Sequence, residues 1–142
     1  MKKILFLLGI TLFFSLSCEA KKVHIGKKDL PQQAQRFLST YFPAEKMSFV
    51  MKDEKAFTTE YKVRTQGGYE IEFDANGAWE DVEGYKLPLG FLPEKIRTYI
   101  KDKFPAMTVT RIEKKKRGYE LELNDDLELY FDKEGDFVRM DD

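Results

Sequence analysis

Residues Leu92 to Asp141 repeat the pattern of residues Leu30 to Glu83, so this chain is built from one unit of half a domain used twice. Leu30-Pro31 is answered by Leu92-Pro93, and Tyr41-Phe42-Pro43 by Lys103-Phe104-Pro105, at a constant offset of 62. Further on, Tyr61 is answered by Tyr119, Phe73-Asp74 by Phe131-Asp132, Gly77 by Gly135 and Trp79 by Phe137, at an offset of 58. The second copy is therefore shorter by four residues, the difference between the offsets 62 and 58, all lost between the proline and the tyrosine.

Each copy opens on helical periodicity. Leu30, Ala34, Phe37, Leu38 and Tyr41 share one stripe, as do Leu92, Ile96, Tyr99, Ile100 and Phe104. Pro31 and Pro93 suit a first helical turn, where a missing N–H costs nothing, and Pro43 and Pro105 force the chain out of helix. Asp29 is placed to cap the first helix. The period then drops to two. Tyr61, Val63 and Thr65, then Tyr69, Ile71 and Phe73, alternate with charged residues; so do Tyr119, Leu121 and Leu123, then Leu127, Leu129 and Phe131. Shorter strands are expected near 47–52, 78–83, 108–114 and 136–140. One apolar and one charged face per strand is the mark of an antiparallel sheet covered on one side. The expected fold class is α+β: two tandem helix-plus-four-strand units, 29–84 and 91–142, forming one curved antiparallel sheet of eight strands with helices on one face. The link Gly84 to Gly90 is too short and too apolar for a free tether, so the units share one domain, 21–142.

Residues 1–20 stand apart. Lys2 and Lys3 precede an apolar run, Ile4 to Leu16, that is too short for a membrane span and reads as a signal peptide. Cys18 and Ala20 supply small residues for cleavage before Lys21. The rival reading lipidates Cys18, although Ser15 stands where a lipobox usually has leucine; membrane contact follows only on that reading. Without residues 1–20 the chain keeps 22 basic and 24 acidic residues, a net charge near −2 that argues against nucleic acid. With Cys18 removed or lipidated no disulfide can form, so stability rests on core packing.

Catalytic chemistry finds few candidates. His24 is the only histidine, and it lies in what reads as a mobile, solvated start of the mature chain. Without a second histidine or a mature thiol, nucleophilic and zinc arrangements are closed, and no cofactor is implied. Asp74-Ala75-Asn76-Gly77 and Asp132-Lys133-Glu134-Gly135 begin like calcium loops, but position twelve from Asp74 is Tyr85 rather than a bidentate glutamate. They read better as hairpin turns with glycine in the left-handed region, which pairs Phe73 with Trp79 and sends Trp79 and Phe137 to the core. Lys114-Lys115-Lys116-Arg117 reads as edge protection at a turn. Tyr130 interrupts the charged face between Glu128 and Asp132, and Tyr85 in the link is a second candidate for exposure.

The order Leu-Pro, amphipathic helix, Phe-Pro, then strands ending in Phe-Asp-x-x-Gly-x-aromatic resembles the PepSY-like, beta-lactamase-inhibitor-like proteins exported by gut-type Gram-negative bacteria. The resemblance spans residues 29 to 141. It implies helices on one face of a continuous antiparallel sheet, a periplasmic location (or an outer-membrane lipoprotein through Cys18), and no catalytic residues. The expectation is a non-enzymatic binding module offering its open face to a protein or peptide of the cell envelope. Glu60, Lys62, Arg64, Glu70, Glu72, Glu120, Glu122, Glu128 and Tyr130 are the candidate contacts. Two alternatives stand beside it. A protease inhibitor or protease-associated domain would use the four-residue insertion before Tyr61 as an occluding loop. A carboxylate-based hydrolase would need a cleft holding two carboxyls of displaced pKa.

Overall fold

The computed structural model describes residues 21–142. The elements run β1 (Lys21–His24), a 3-10 turn (Lys27–Asp29), α1 (Gln32–Tyr41), β2 (Met47–Glu54), β3 (Thr59–Thr65), β4 (Glu70–Phe73) and β5 (Trp79–Glu83). After the link come α2 (Glu94–Lys103), β6 (Val109–Lys115), β7 (Gly118–Leu123), β8 (Leu127–Asp132) and β9 (Phe137–Asp141). The strands form a single sheet in chain order, β1 to β9, every pair antiparallel.

That is nine strands rather than eight. The extra one is β1, which pairs Lys21 with Glu54 and His24 with Met51. Lys-Lys-Val-His carries a single apolar residue, so backbone pairing to β2, not a hydrophobic period, makes it a strand. His24 therefore sits in regular structure instead of a mobile start, with its ring edge-on to Phe49 at 4.8 Å.

Both helices begin one residue after the proline, whose extended backbone (φ −52°, ψ 144° at Pro31; φ −51°, ψ 143° at Pro93) makes it the residue before the first turn. The Pro31 carbonyl accepts the first helical bond, from the Gln35 N–H at 3.1 Å. Asp29 does not cap α1: the 3-10 turn holds it back, and its carboxylate accepts from the Gly26 N–H at 2.9 Å. The helices end alike, at Phe42 and Phe104, each N–H donating to the carbonyl four residues earlier. Ala34, Phe37 and Leu38 of α1 and Ile96 and Ile100 of α2 are buried. Phe37 meets Phe73 edge-on at 5.6 Å and Tyr99 meets Phe131 at 5.4 Å, so both helices press on the same face of the sheet.

On that face one apolar row crosses the sheet. Val50, Val63, Ile71, Val82, Ile112, Leu121 and Leu129 are successive cross-strand partners, all buried. Four strand pairs carry a bulge, at Ser48, Glu80, Thr110 and Val138. Ser48 and Thr110 each donate a hydroxyl to the opposite strand, to the carbonyls of Arg64 (3.1 Å) and Glu122 (3.3 Å).

The two Asp-x-x-Gly segments are three-residue hairpin loops. Asp74 N–H donates to the Ala78 carbonyl at 2.8 Å, and Asp132 N–H to that of Asp136 at 2.9 Å. Gly77 and Gly135 lie at φ 85° and 87°, the left-handed conformation that closes such a loop. A Cβ on Gly77 would also stand 2.7 Å from that of Pro31, so the turn packs directly on the start of α1. Each aspartate accepts two backbone N–H bonds through one oxygen, which braces the turn.

Trp79 takes the core side, between Phe91 at 4.9 Å and Tyr119 at 6.2 Å. Phe137 takes the same side but not an equivalent place: it stacks on Tyr99 at 4.8 Å and stays 41% exposed, because among the described residues no strand pairs with the outer side of β9 to cover it. Trp79→Ala is therefore expected to cost about 3 kcal/mol, at the lower end for large aromatic truncation, and Phe137→Ala only about 1 kcal/mol. Tyr130→Ala, on the opposite face, should cost less than either. Chemical denaturation of the three variants measures this, and a Phe137 variant as damaged as the Trp79 variant would contradict it.

Candidate functional site: the open sheet face

Strand alternation sends a second set of residues away from the helices. Reading cross-strand partners from β2 to β9, one open row runs Met51, Lys62, Glu72, Asp81, Glu113, Glu120, Tyr130, Arg139. Its neighbour runs Phe49, Arg64, Glu70, Glu83, Arg111, Glu122, Glu128, Asp141. Eight of the nine sequence-predicted residues fall in these two rows. Glu60 lies on the same face further along β3, opposite Asp53, where Lys55 donates to it at 2.7 Å. Of the charged residues in these rows, sequence reasoning missed Asp81, Glu83, Arg111, Glu113, Arg139 and Asp141. Their strands were located only approximately, and nothing local reveals that β5 pairs with β6 across a helix and a link.

The face is polar but not evenly mixed. At the β3–β4 end, Lys62 binds Glu72 (2.7 Å) and Glu70 (2.9 Å), and Arg64 binds Glu70 (2.8 Å). Those carboxylates, Glu72 first and then Glu70, hold the Lys62 ammonium above its ordinary range. Burial pushes the Glu70 carboxyl up, but the hydrogen bonds from Arg64 and Lys62 outweigh it and leave the group below the usual carboxylate range. Across the middle, Arg111 forks onto Asp81 through two bonds of 2.7 and 3.3 Å, joining β6 to β5. Lys115 reaches Glu113 at 2.7 Å.

Acids also face acids across the strands, some of them the partners of these cations. Glu70 stands opposite Glu83, Glu72 opposite Asp81, Asp81 opposite Glu113, Glu113 opposite Glu120, and Glu122 opposite Glu128. Like charges directly across a strand pair oppose folding. The Glu122 carboxyl is pushed up by burial first and then by the negative charge of Asp125; Arg111 opposes this, and Glu128 and Glu83 add smaller contributions.

At the β8–β9 end Tyr130 is held from two sides. Its hydroxyl donates to a Glu128 carboxylate oxygen at 2.6 Å, and the Arg139 guanidinium lies 3.7 Å over its ring. Tyr85 is exposed as expected, yet it leans on Tyr69 at 5.3 Å and does not join the face.

A separate feature sits at the β2–β3 hairpin tip. The four residues absent from the second unit lie here, where β6 and β7 turn tightly at Lys115 to Gly118, and they present Phe57 at 99% exposure. Beside it, Glu60, Asp74 and Glu80 border a hollow of about 520 Å³. Burial, then the charges of Asp74 and Glu60, push the Glu80 carboxyl up. Among the described residues no group of three or more His, Cys, Asp or Glu is placed to hold a metal, and no helix is long and apolar enough to cross a membrane.

A meandering antiparallel sheet of nine strands with two helices on one face and an open acidic face defines an α+β domain among the described residues. The chain belongs to the family described as "Putative beta-lactamase-inhibitor-like, PepSY-like", whose model matches residues 16–65 and 59–139. Three solved structures are similar over nearly their full length. One, from Bacteroides vulgatus, is described as a putative periplasmic protein of the DUF2874 family: 29% identity, 86% of this chain and 98% of that one, TM-score 0.80. Another, from Bacteroides thetaiotaomicron, is described as a putative calcium-regulated periplasmic protein: 28% identity, 85% and 97%, TM-score 0.81. A third, again from Bacteroides vulgatus, is described as a putative periplasmic protein of unknown function: 29% identity, 86% and 100%, TM-score 0.79. Among curated proteins none matches the chain.

The bond to Glu128 pushes the Tyr130 phenol up to about 12, with burial adding to it. The folded value lies above the ordinary one near 10. Whatever this bond contributes to stability is thus fully present below about pH 10 and lost as pH rises through about 12. Tyr69 is also pushed up to about 12, by burial first and then by Tyr85, so the two phenols must be separated. Subtracting the ultraviolet titration of Tyr130→Phe isolates Tyr130. In Glu128→Gln its midpoint is expected to fall back toward 10; an unchanged midpoint would contradict the bond's role.

Proposed function

We propose that this chain is an exported, non-catalytic binding module of the cell envelope, and that its open sheet face receives a cationic segment of a protein or peptide partner. The observation that carries this reading is the stack of facing acids. A face kept only for solubility would alternate its signs; here Glu122 faces Glu128 with no lysine or arginine among the described residues ion-paired to either, at a cost to stability that a cationic partner would relieve. The family and the periplasmic descriptions of its relatives support location in the envelope, and the signal-type segment at residues 1–20, outside the described residues, agrees with it.

We read residues 29–84 and 91–142 as two copies of one unit. Matching proline and phenylalanine geometry at both helix ends supports this, as do bulges 62 and 58 residues apart, at Ser48 and Thr110 and at Glu80 and Val138.

A second reading has its own observation. Phe57 at the hairpin tip is the one large aromatic of the described residues with almost no packing, which suits an inhibitor that inserts a finger into its target. Capture from envelope extract separates the two. Glu122→Lys with Glu128→Lys should abolish capture, high salt should weaken it, and Phe57→Ser should leave it intact; the reverse pattern would favour the finger. Assays run with calcium and with a chelator extend the comparison to the calcium regulation ascribed to one relative.

Stability supplies an independent check. Glu128→Lys alone should raise unfolding free energy by roughly 0.5 kcal/mol even after losing its bond from Tyr130, since Glu128 faces acids on both sides, Glu122 and Asp141, and the change makes both pairs attractive on a screened surface. A destabilised variant would remove the argument from charge stacking. As a non-enzyme, the purified protein should show no hydrolase turnover that Glu80→Gln or Glu72→Gln abolishes. Such a dependence, measured with ester, peptide and glycoside substrates, would overturn the reading.

A further inference from the structure

β9 borders the sheet, and among the described residues no strand pairs with its outer side. It is the counterpart of β5: both follow an Asp-x-x-Gly loop and both carry a bulge, at Val138 and Glu80. The outer side of β5 is covered, since β6 pairs along it, Val82 is fully buried, and Phe91 and Tyr119 pack on Trp79. At β9 the matching positions are open. Met140, which continues the apolar row past Leu129, is 52% exposed, and Phe137 and Tyr99 wall a hollow of about 550 Å³ between α2 and the strand. The opposite border differs. β1 carries Lys21 and Lys22, the residues that blunt an edge against pairing, and β9 carries neither lysine nor proline.

We propose that β9 is a self-association edge, on which a second copy of this chain pairs antiparallel about a two-fold axis. The charges select this occupant. Arg139 and Asp141 lie two residues apart on the open face and already bind one another within the strand. In a pairing centred on Met140, Arg139 faces Asp141 of the second copy and Asp141 faces its Arg139. The same register sets Met140 against Met140 on the helix face and joins the two apolar rows into one. A head-to-tail contact of β9 with β1 of another copy would meet the lysine-bearing edge, and it would not close. Five residues of strand bury less than a permanent interface requires, so the dimer forms at micromolar to millimolar concentration. It leaves the acidic face open and is independent of the cationic-partner reading.

Sedimentation equilibrium of the purified protein across that range tests the proposal. The expected result is a monomer–dimer equilibrium that Met140→Lys abolishes. Asp141→Arg should weaken association roughly tenfold or more by setting arginines against each other, and the double swap R139D/D141R should restore it. Circular dichroism confirms that each variant keeps the fold. A protein monomeric throughout, association that grows beyond the dimer, or a Met140→Lys variant that still dimerises would overturn the proposal. So would a double swap that fails to recover. Partner capture by Met140→Lys, whose acidic face is intact, scores the previous reading separately.

Discussion

Val50, Val63, Ile71, Val82, Ile112, Leu121 and Leu129 stand side by side across seven consecutive strands, and the register of the whole sheet depends on that contact. Side chains in a strand alternate, so a slip of one residue would carry Lys62, Glu72 or Glu120 under the helices, where an unpaired charge costs several kcal/mol. α1 and α2 complete the row from one side with Ala34, Phe37, Leu38, Ile96 and Ile100. The charged face is the other side of that constraint. Each residue the helices hold inward defines a neighbour that must point outward.

The centre of the molecule shows how the two halves are joined. β5 and β6 share three pairs, with Val82 against Ile112 on the buried side and Arg111 forked onto Asp81 on the open side. Phe91, from the link, fills the space between Phe37 and Trp79 and seals the junction from the helix side. An ion pair in contact with water contributes little net stability, so the joint holds by apolar packing and Arg111 serves chiefly to orient the surrounding acids. Glu83 and Glu122 flank that arginine in register, which places the acidic band over the seam between the halves. Packing thus tolerates a repulsive surface because the row beneath it is complete.

Much of this was legible in the chain. Tyr61, Val63 and Thr65, and likewise Tyr119, Leu121 and Leu123, announced both their strands and their inward face through a period of two. The Asp-x-x-Gly turns disclosed their glycine conformation, and with it the side on which Trp79 would lie. What escaped had no local signal. Lys21 to His24 form a strand only because β2 offers an edge to pair with. Asp81, Glu83, Arg111 and Glu113 join the face through a strand pairing across a helix and a link. Phe57 carried no sequence signal of its own, and its place at a hairpin tip exposes it. Trp79 and Phe137 hold matching places after their Asp-x-x-Gly turns and unequal ones in the molecule, since among the described residues β6 lies beside the first and no strand beside the second.

Sequence alone determined both helices, strands β2 to β9 and the faces they turn inward, because hydrophobic period, proline position and turn chemistry act over a few residues. Tertiary structure alone decided which charges stand opposite each other, where the acids accumulate and which edge remains open. Those properties belong to pairs of residues brought together by register, and register is set by the packing of the whole apolar row rather than by any segment within it.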